Sequence, residues 1–154
     1  MIKKVDDVEN IFRISDAASL ALHTMVLLAA TPEEVVSNRD IADSLNASEA
    51  HLSKVLQRLT KAGLVKSTRG PHGGFRLAKR AGEITLLDIY EAIEGPLISS
   101  NCLLASPVCV GNKCILGSLL KTMNKKLREQ LAGTHLLKLA GTICVSGRSG
   151  GFDA

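Results

Sequence analysis

The chain has 154 residues, 45% of them hydrophobic but only 3% aromatic, with no Trp. That suffices for one domain, or a small domain plus an oligomerisation element, with a core of Leu, Ile, Val and Ala suited to helices packed on helices. The net charge of +4 is too small to name a partner by itself, and the opening MIKKVDDVENIF lacks the apolar core of a secretory signal.

In chain order, residues 1–11 are polar and read as an arm. Ser15 can cap a helix opening at Asp16, whose charge suits the positive helix end. Leu20, Ala21, Thr24, Leu27 and Leu28 share one face of it, and Thr31-Pro32 stops it. The apolar run 17–30 is interrupted by His23 and is too short to span a bilayer. The chain is therefore expected to be cytoplasmic with no membrane partner, and its four cysteines to be thiols or metal ligands rather than disulfides.

Ser37 can cap a short second helix, with Asp40 placed to reach back, ending near Leu45-Asn46. A third helix opens at Ser48, turns Leu52, Val55, Leu56 and Leu59 inward, and ends at Gly63. Residues 64–68 and 75–77 read as two strands joined by the turn Gly70-Pro71-His72-Gly73-Gly74. Thr85 and Asp88 are a capping pair for a helix to about Glu94, which Gly95-Pro96 breaks. A loop with Cys102, Cys109 and Cys114 follows. From about Leu116 a longer amphipathic helix carries Leu116, Leu119, Leu120, Met123, Leu127 and Leu131 on one stripe, with a bend expected at Gly133-Thr134. The expected divisions are an arm (1–11), a helix and hairpin domain (12–82), a connecting helix (83–100), a cysteine loop (101–115), a long helix (116–140) and a disordered tail (141–154).

Helix, short helix, turn, helix and two-stranded wing is the order of a winged helix-turn-helix, so the fold class expected is mostly α. Between Ala50 and Gly82 there is no Asp or Glu but eight Lys or Arg, which attracts a polyanion. The third helix presents Ser48, His51, Ser53, Lys54, Gln57, Arg58 and Lys61 on its polar face. Lys and Arg suit guanine edges and phosphates, Gln suits adenine, and Ser suits phosphate oxygens. Arg69 and His72 at the wing tip could enter an adjacent minor groove, with Gly73 and Gly74 too small to clash with a sugar–phosphate wall. Double-stranded DNA is the partner expected.

The cysteines are spaced C-x6-C-x4-C. Thiolates are the usual ligands of iron–sulfur clusters, and without C-x2-C knuckles zinc is the second choice. A buried, inert role for three small side chains stays open. No nucleophile–base pair and no α/β pattern accompany the thiols, so the chain is not expected to be an enzyme.

The stretch HLSKVLQRLTKAGLVKSTRGPHGGFRL, and above all Arg-Gly-Pro-x-Gly-Gly-Phe-x-Leu from Arg69 to Leu77, resembles the reading helix and wing of the IscR/NsrR family of bacterial regulators. The resemblance runs from about Arg13 to Leu139. It implies a homodimer whose long C-terminal helices cross, which makes 116–140 a dimerisation helix, a DNA site of two half-sites, and often an iron–sulfur cluster. Cys102, Cys109 and Cys114 fall where the family carries cluster ligands. Some relatives complete the set with a His one turn after the last Cys, where this chain has Gly117; others use an acidic residue near the partner's N-terminus, where it has Ser19. His23 of the partner chain, one turn further on, is the candidate fourth ligand and Asp16 the fallback. A four-iron cluster is preferred and a two-iron cluster stays open. A weak fourth ligand would leave one iron open to nitric oxide or oxygen. The function implied is a DNA-binding transcription regulator that senses redox, nitric oxide or iron–sulfur status. The alternative is a cluster-free regulator controlled by a partner protein or by thiol oxidation.

Overall fold

A computed structural model describes residues 14–97, 102–104, 106–111 and 113–143; the expected arm, most of the expected tail and Cys144 lie outside the described residues. The elements are α1 (Asp16–Ala30), α2 (Asn38–Leu45), α3 (Glu49–Lys61), β1 (Val65–Thr68), β2 (Gly74–Leu77), a 3₁₀ turn (Ala81–Glu83), α4 (Leu86–Glu94), α5 (Leu119–Gly133) and α6 (Leu136–Leu139). The first four helices open on the hydroxyls the sequence points to. The side chains of Ser15, Ser37, Ser48 and Thr85 accept from the backbone N–H of Ala18, Asp40, His51 and Asp88. Asp88 answers at the Thr85 N–H, closing a capping box. Such a cap contributes about 1 kcal/mol.

The periodicity of α1 predicts one apolar face, but the helix is buried nearly all round in its second half: Thr24, Met25, Val26, Leu27, Leu28 and Ala29 are all buried, with Ala18 and Ala21 before them. The reason is tertiary, since α2, α3, α4, α6 and β2 all pack around it. A helix can be enclosed in this way because its backbone polar groups are paired internally. Leu52, Val55, Leu56 and Leu59 of α3 meet it from one side, and Ile89 and Ile93 of α4 join the same core. Among the described residues no helix is long and apolar enough to cross a membrane.

The turn between α2 and α3 is held by Asn46 in the left-handed region (φ 50°), a conformation that Asn tolerates better than most residues, and by the Ala47 N–H donating to the Ala42 carbonyl at 2.9 Å. After α3, Gly63 takes φ 74° and turns the chain into β1. The two strands pair antiparallel, with Val65 opposite Leu77, Lys66 opposite Arg76, Ser67 opposite Phe75 and Thr68 opposite Gly74.

The sequence does not announce that the wing is tied back to the helices. Val36, in the connection from α1 to α2, exchanges both backbone hydrogen bonds with Phe75, at 2.9 and 2.8 Å. A Cβ on Gly74 would stand 2.3 Å from the Val36 carbonyl oxygen, and one on Gly73 would stand 2.4 Å from that of Thr68. Both glycines therefore have an internal reason, close approach of protein backbone, whatever clearance they also give to DNA.

The long C-terminal stretch, 116–140 by expectation, is two helices. Gly117 at φ 58° and a turn closed by its N–H on the Cys114 carbonyl delay the start of α5 to Leu119. At the other end Thr134 is extended, because residues 134–136 pair with residues 84–86: Leu86 donates to Thr134 at 3.0 Å and Leu136 to Ile84 at 2.9 Å. That pairing seats Leu136, fully buried, in the core.

Replacing Gly74 by Ala is expected to lower unfolding free energy by about 1–3 kcal/mol, as overpacking against fixed backbone does. Gly133→Ala, where the new Cβ meets nothing within 4 Å and φ is not positive, should be neutral or stabilise by about 1 kcal/mol. Urea denaturation of the two variants measures both; equal stabilities would show that the Val36–Phe75 pairing does not constrain Gly74.

Candidate nucleic-acid interface

Helix α3 stands on its Leu52, Val55, Leu56 and Leu59 stripe, which leaves Ser48, His51, Lys54, Gln57, Arg58 and Lys61 exposed. His51, Lys54, Gln57 and Lys61 have side chains with no hydrogen bond or ion pair to the described residues. They form a donor-rich surface whose only carboxylate is Glu49, in the first turn. The Ser48 hydroxyl accepts from His51 N–H and keeps its own proton to donate.

Two of the residues expected on this surface are also engaged elsewhere. Ser53 is half-buried: its hydroxyl donates to the Glu49 carbonyl at 2.8 Å and accepts from the Asn38 amide at 3.1 Å. The same amide reaches the Glu49 carbonyl at 3.3 Å. Ser53 thus locks α2 to α3. Arg58 sends Nη1 to the carbonyl of Ile93 in α4, at 3.3 Å. Asn38 has no role in the sequence reading; its place one residue after a helix cap, facing the next helix, is the only signal it gives. Arg69 and His72 both lie exposed in the wing turn, where Gly70 at φ 114° and the Gly73 N–H on the Gly70 carbonyl close the bend.

His23 is exposed on α1, which excludes a core role. Its Nδ1–H donates to the Ser19 carbonyl at 2.6 Å, leaving Nε2 as the nitrogen able to bind a metal. A cleft of about 440 Å³ brings His23 and Asp16 together with Asn46 and His51, so the candidate ligand face adjoins the first turn of α3.

None of Cys102, Cys109 and Cys114 is buried and none is in a disulfide, so the inert core role does not hold. The loop around them leaves Val108, Val110 and Ile115 exposed by 73%, 87% and 84%, which means that it is not packed on its own domain. In kind the three soft thiol donors fit an iron–sulfur cluster or another thiophilic metal. In arrangement they are not gathered: among the described residues no group of three Cys, His, Asp or Glu side chains stands ready to hold a metal.

The entry to the loop is anchored. Glu91 of α4 accepts from the Leu97 N–H at 2.9 Å, Arg128 of α5 donates to the Leu97 carbonyl at 3.1 Å, and Arg128 and Glu91 pair at 3.7 Å. At the end of α4, Glu94 accepts from the hydroxyl of Ser15, the cap of α1. Seven residues of chain, from Glu91 to Leu97, therefore reach α1, α3 and α5.

Comparison with known proteins agrees with this architecture. The family model for Rrf2, described as an iron-dependent transcriptional regulator, matches residues 14–142. The chain is 43% identical over 82 residues to the helix-turn-helix transcriptional regulator BadM of Rhodopseudomonas palustris, a match that spans 53% of either protein. It is 36% identical over 105 residues to the transcriptional regulator NsrR of Geobacillus kaustophilus, covering 68% of this chain and 69% of that one. Among solved structures it resembles CymR, the global cysteine regulator of B. subtilis, with a TM-score of 0.72 and 31% identity over 86% of this chain and 98% of that one. Members of such a family regulate transcription and are not enzymes. A winged helix-turn-helix with a long C-terminal helix, matched along nearly its whole described length, places the chain in the Rrf2 family of DNA-binding transcription regulators.

Proposed function

We propose that this regulator acts as a cytoplasmic homodimer, reads double-stranded DNA with α3 and the wing tip, and changes its affinity when an iron–sulfur cluster on Cys102, Cys109 and Cys114 is gained, oxidised or lost. The observation that carries the reading is the placement of three unburied thiols on a loop whose entry is clamped to α3, α4 and α5. The DNA surface consists of Ser48, His51, Lys54, Gln57, Arg58 and Lys61 with Arg69 and His72, supported from behind by Ser53.

The apolar stripe of α5 favours a second copy. Leu119 is 53% exposed, and Met123 and Leu127 are only half-buried beside an open groove of about 680 Å³. The cluster supplies redox chemistry when bound. His23 of the partner chain, through Nε2, is the fourth ligand proposed, with Asp16 the fallback. Both line the cleft beside His51, so a partner loop seated there would lie against the reading helix. Gathering the thiols must reshape the loop between Leu97 and α5. Arg128, Glu91 and Arg58 offer the route by which that change reaches α3. A ligand state that fits both arrangements equally would shift nothing.

A second reading keeps the DNA surface and drops the cluster. Cys109 is exposed and unpaired, open to direct oxidation, and the similar Staphylococcus aureus CymR has been solved in an oxidized form.

Protein purified without oxygen should be coloured and carry iron and sulfide in equal amounts, and Cys102→Ala, Cys109→Ala and Cys114→Ala should each lose the visible absorption. Colourless, iron-free wild type whose DNA affinity nevertheless responds to peroxide would select the thiol reading. For the DNA surface, Lys54→Glu with Gln57→Glu spares the Arg58–Ile93 bond and should lower affinity at least a hundredfold in an anisotropy titration; unchanged affinity would remove α3 as the reader. Arg128→Ala should leave the cluster spectrum intact while shrinking the difference in DNA affinity between cluster-bound and cluster-free protein. A difference of full size would rule Arg128 out as part of the route.

A further inference from the structure

The polar face of α3 stands open close to the point where the described chain begins. Ile14 is exposed, and the next residue, Ser15, is pinned: it caps α1, and its hydroxyl donates to Glu94 of α4. Asp16 lines the same cleft as His51, in the first turn of α3, with Leu20, Leu45 and Ala47 as apolar walls. From His51 the α3 surface runs on through Lys54, Gln57 and Lys61, and no carboxylate follows Glu49 on the helix.

The sequence just before Ile14 has the opposite character. Residues 5–12, VDDVENIF, carry Asp6, Asp7 and Glu9 and no cation, with Val5, Val8, Ile11 and Phe12 spaced among them. They lie outside the stretch 14–142 that the family model matches. An extended chain advances at most about 3.6 Å per residue, so Phe12 stays beside the cleft while Glu9 has a span of roughly 18 Å and Asp6 of roughly 29 Å from Ile14. Lys54 is one helical turn beyond His51, which puts it about 5 Å further along the axis and within that span.

We propose that, without DNA, residues 5–12 dock on the polar face of α3 in their own chain, and that duplex DNA displaces them. Phe12 seats against Leu20, Leu45 and Ala47, and Asp6, Asp7 and Glu9 face Lys54, Gln57 and Lys61. The proposal rests on the reading of α3 as the DNA-binding helix and adds a second occupant of that surface. Charge complementarity names the occupant: a short polyanion tethered at the edge of a face that attracts polyanions. Tethering gives it a high effective concentration, so exposed ion pairs that are weak singly can compete. Docking lowers the fraction of protein open to DNA, and the apparent affinity falls by that fraction. A partner's cysteine loop seated on His23 needs the same cleft, so loop and arm exclude one another there.

The test uses the full chain and a duplex selected by it from a random pool. A carbodiimide joins a carboxylate to a lysine amine with no spacer. It should link residues 5–12 to Lys54 or Lys61 within one chain, as read by mass spectrometry after digestion, and added duplex should suppress the link. Asp6→Asn with Asp7→Asn and Glu9→Gln should raise DNA affinity roughly threefold to tenfold, as expected when two exposed ion pairs stop competing. Phe12→Ala keeps every carboxylate and should raise affinity as well. Plain repulsion between the arm and phosphates would leave Phe12→Ala unchanged and overturn the proposal, and so would a triple variant that binds DNA more weakly. Links that double the mass on a denaturing gel would assign the arm to a second copy and overturn its placing on its own chain. The proposal alone falls if no link to α3 forms and the triple variant binds as wild type does, while Lys54→Glu with Gln57→Glu still loses DNA. An intrachain link that survives saturating duplex would overturn both the displacement and the reading of α3 on which it rests.

Discussion

Helix α1 has no room for a polar face in its second half, and the placing of α2, α3, α4, α6 and β2 answers to that. Six consecutive residues, Thr24 to Ala29, are buried, so the helix must be covered on all sides. Helices α3 and α4 cover it with their Leu and Ile stripes, α2 and β2 close one flank, and α6 returns from the far end of the chain to seat Leu136. The covering elements come from separate parts of the sequence. The short backbone pairings, Val36 with Phe75 and Thr85 with His135, are what hold the wing and α6 in place against it. Only the N-terminal half of α1 offers polar side chains to the outside. There Asp16, Ser19 and His23 line a cleft shared with the turn before the reading helix.

Helices α2 and α3 are tied together by contacts that can be named bond by bond. Ser37 and Ser48 cap its two helices, Asn46 makes the left-handed turn between them, and the Asn38 amide bridges to Ser53 and the Glu49 carbonyl. The cysteine loop is built in the opposite way. Its large apolar side chains point away from the domain, and its first fixed point is Leu97, held by Glu91 and Arg128. In the proposed function, the clamped segment from Glu91 to Leu97 is what would link α3 to the thiol-bearing loop.

Much of this was legible in the residues. The caps at Ser15, Ser37, Ser48 and Thr85, the Leu stripe of α3, the turn at Asn46, Gly63 and the paired strands of the wing all follow from local periodicity and backbone preference. The C-x6-C-x4-C spacing and the Arg69–Leu77 pattern are likewise local, and pointed to the family that the comparison established. The candidate site was less legible. Six of the seven polar residues of α3 do lie outward, but helical spacing could not tell that Ser53 turns to Asn38 or that Arg58 reaches Ile93.

What the sequence by itself determined was therefore the order of the elements, the starts of the first four helices and the polar face of α3, because helices, caps and tight turns are decided by residues within a few positions of one another. The tertiary structure alone decided which residues meet across long separations. It buried the second half of α1, set Gly74 against the Val36 carbonyl, paired residues 134–136 with residues 84–86, and stood Lys66 opposite Arg76. Those outcomes depend on backbone and charge brought together by packing, and a local pattern carries no record of a neighbour that arrives only when the chain has folded.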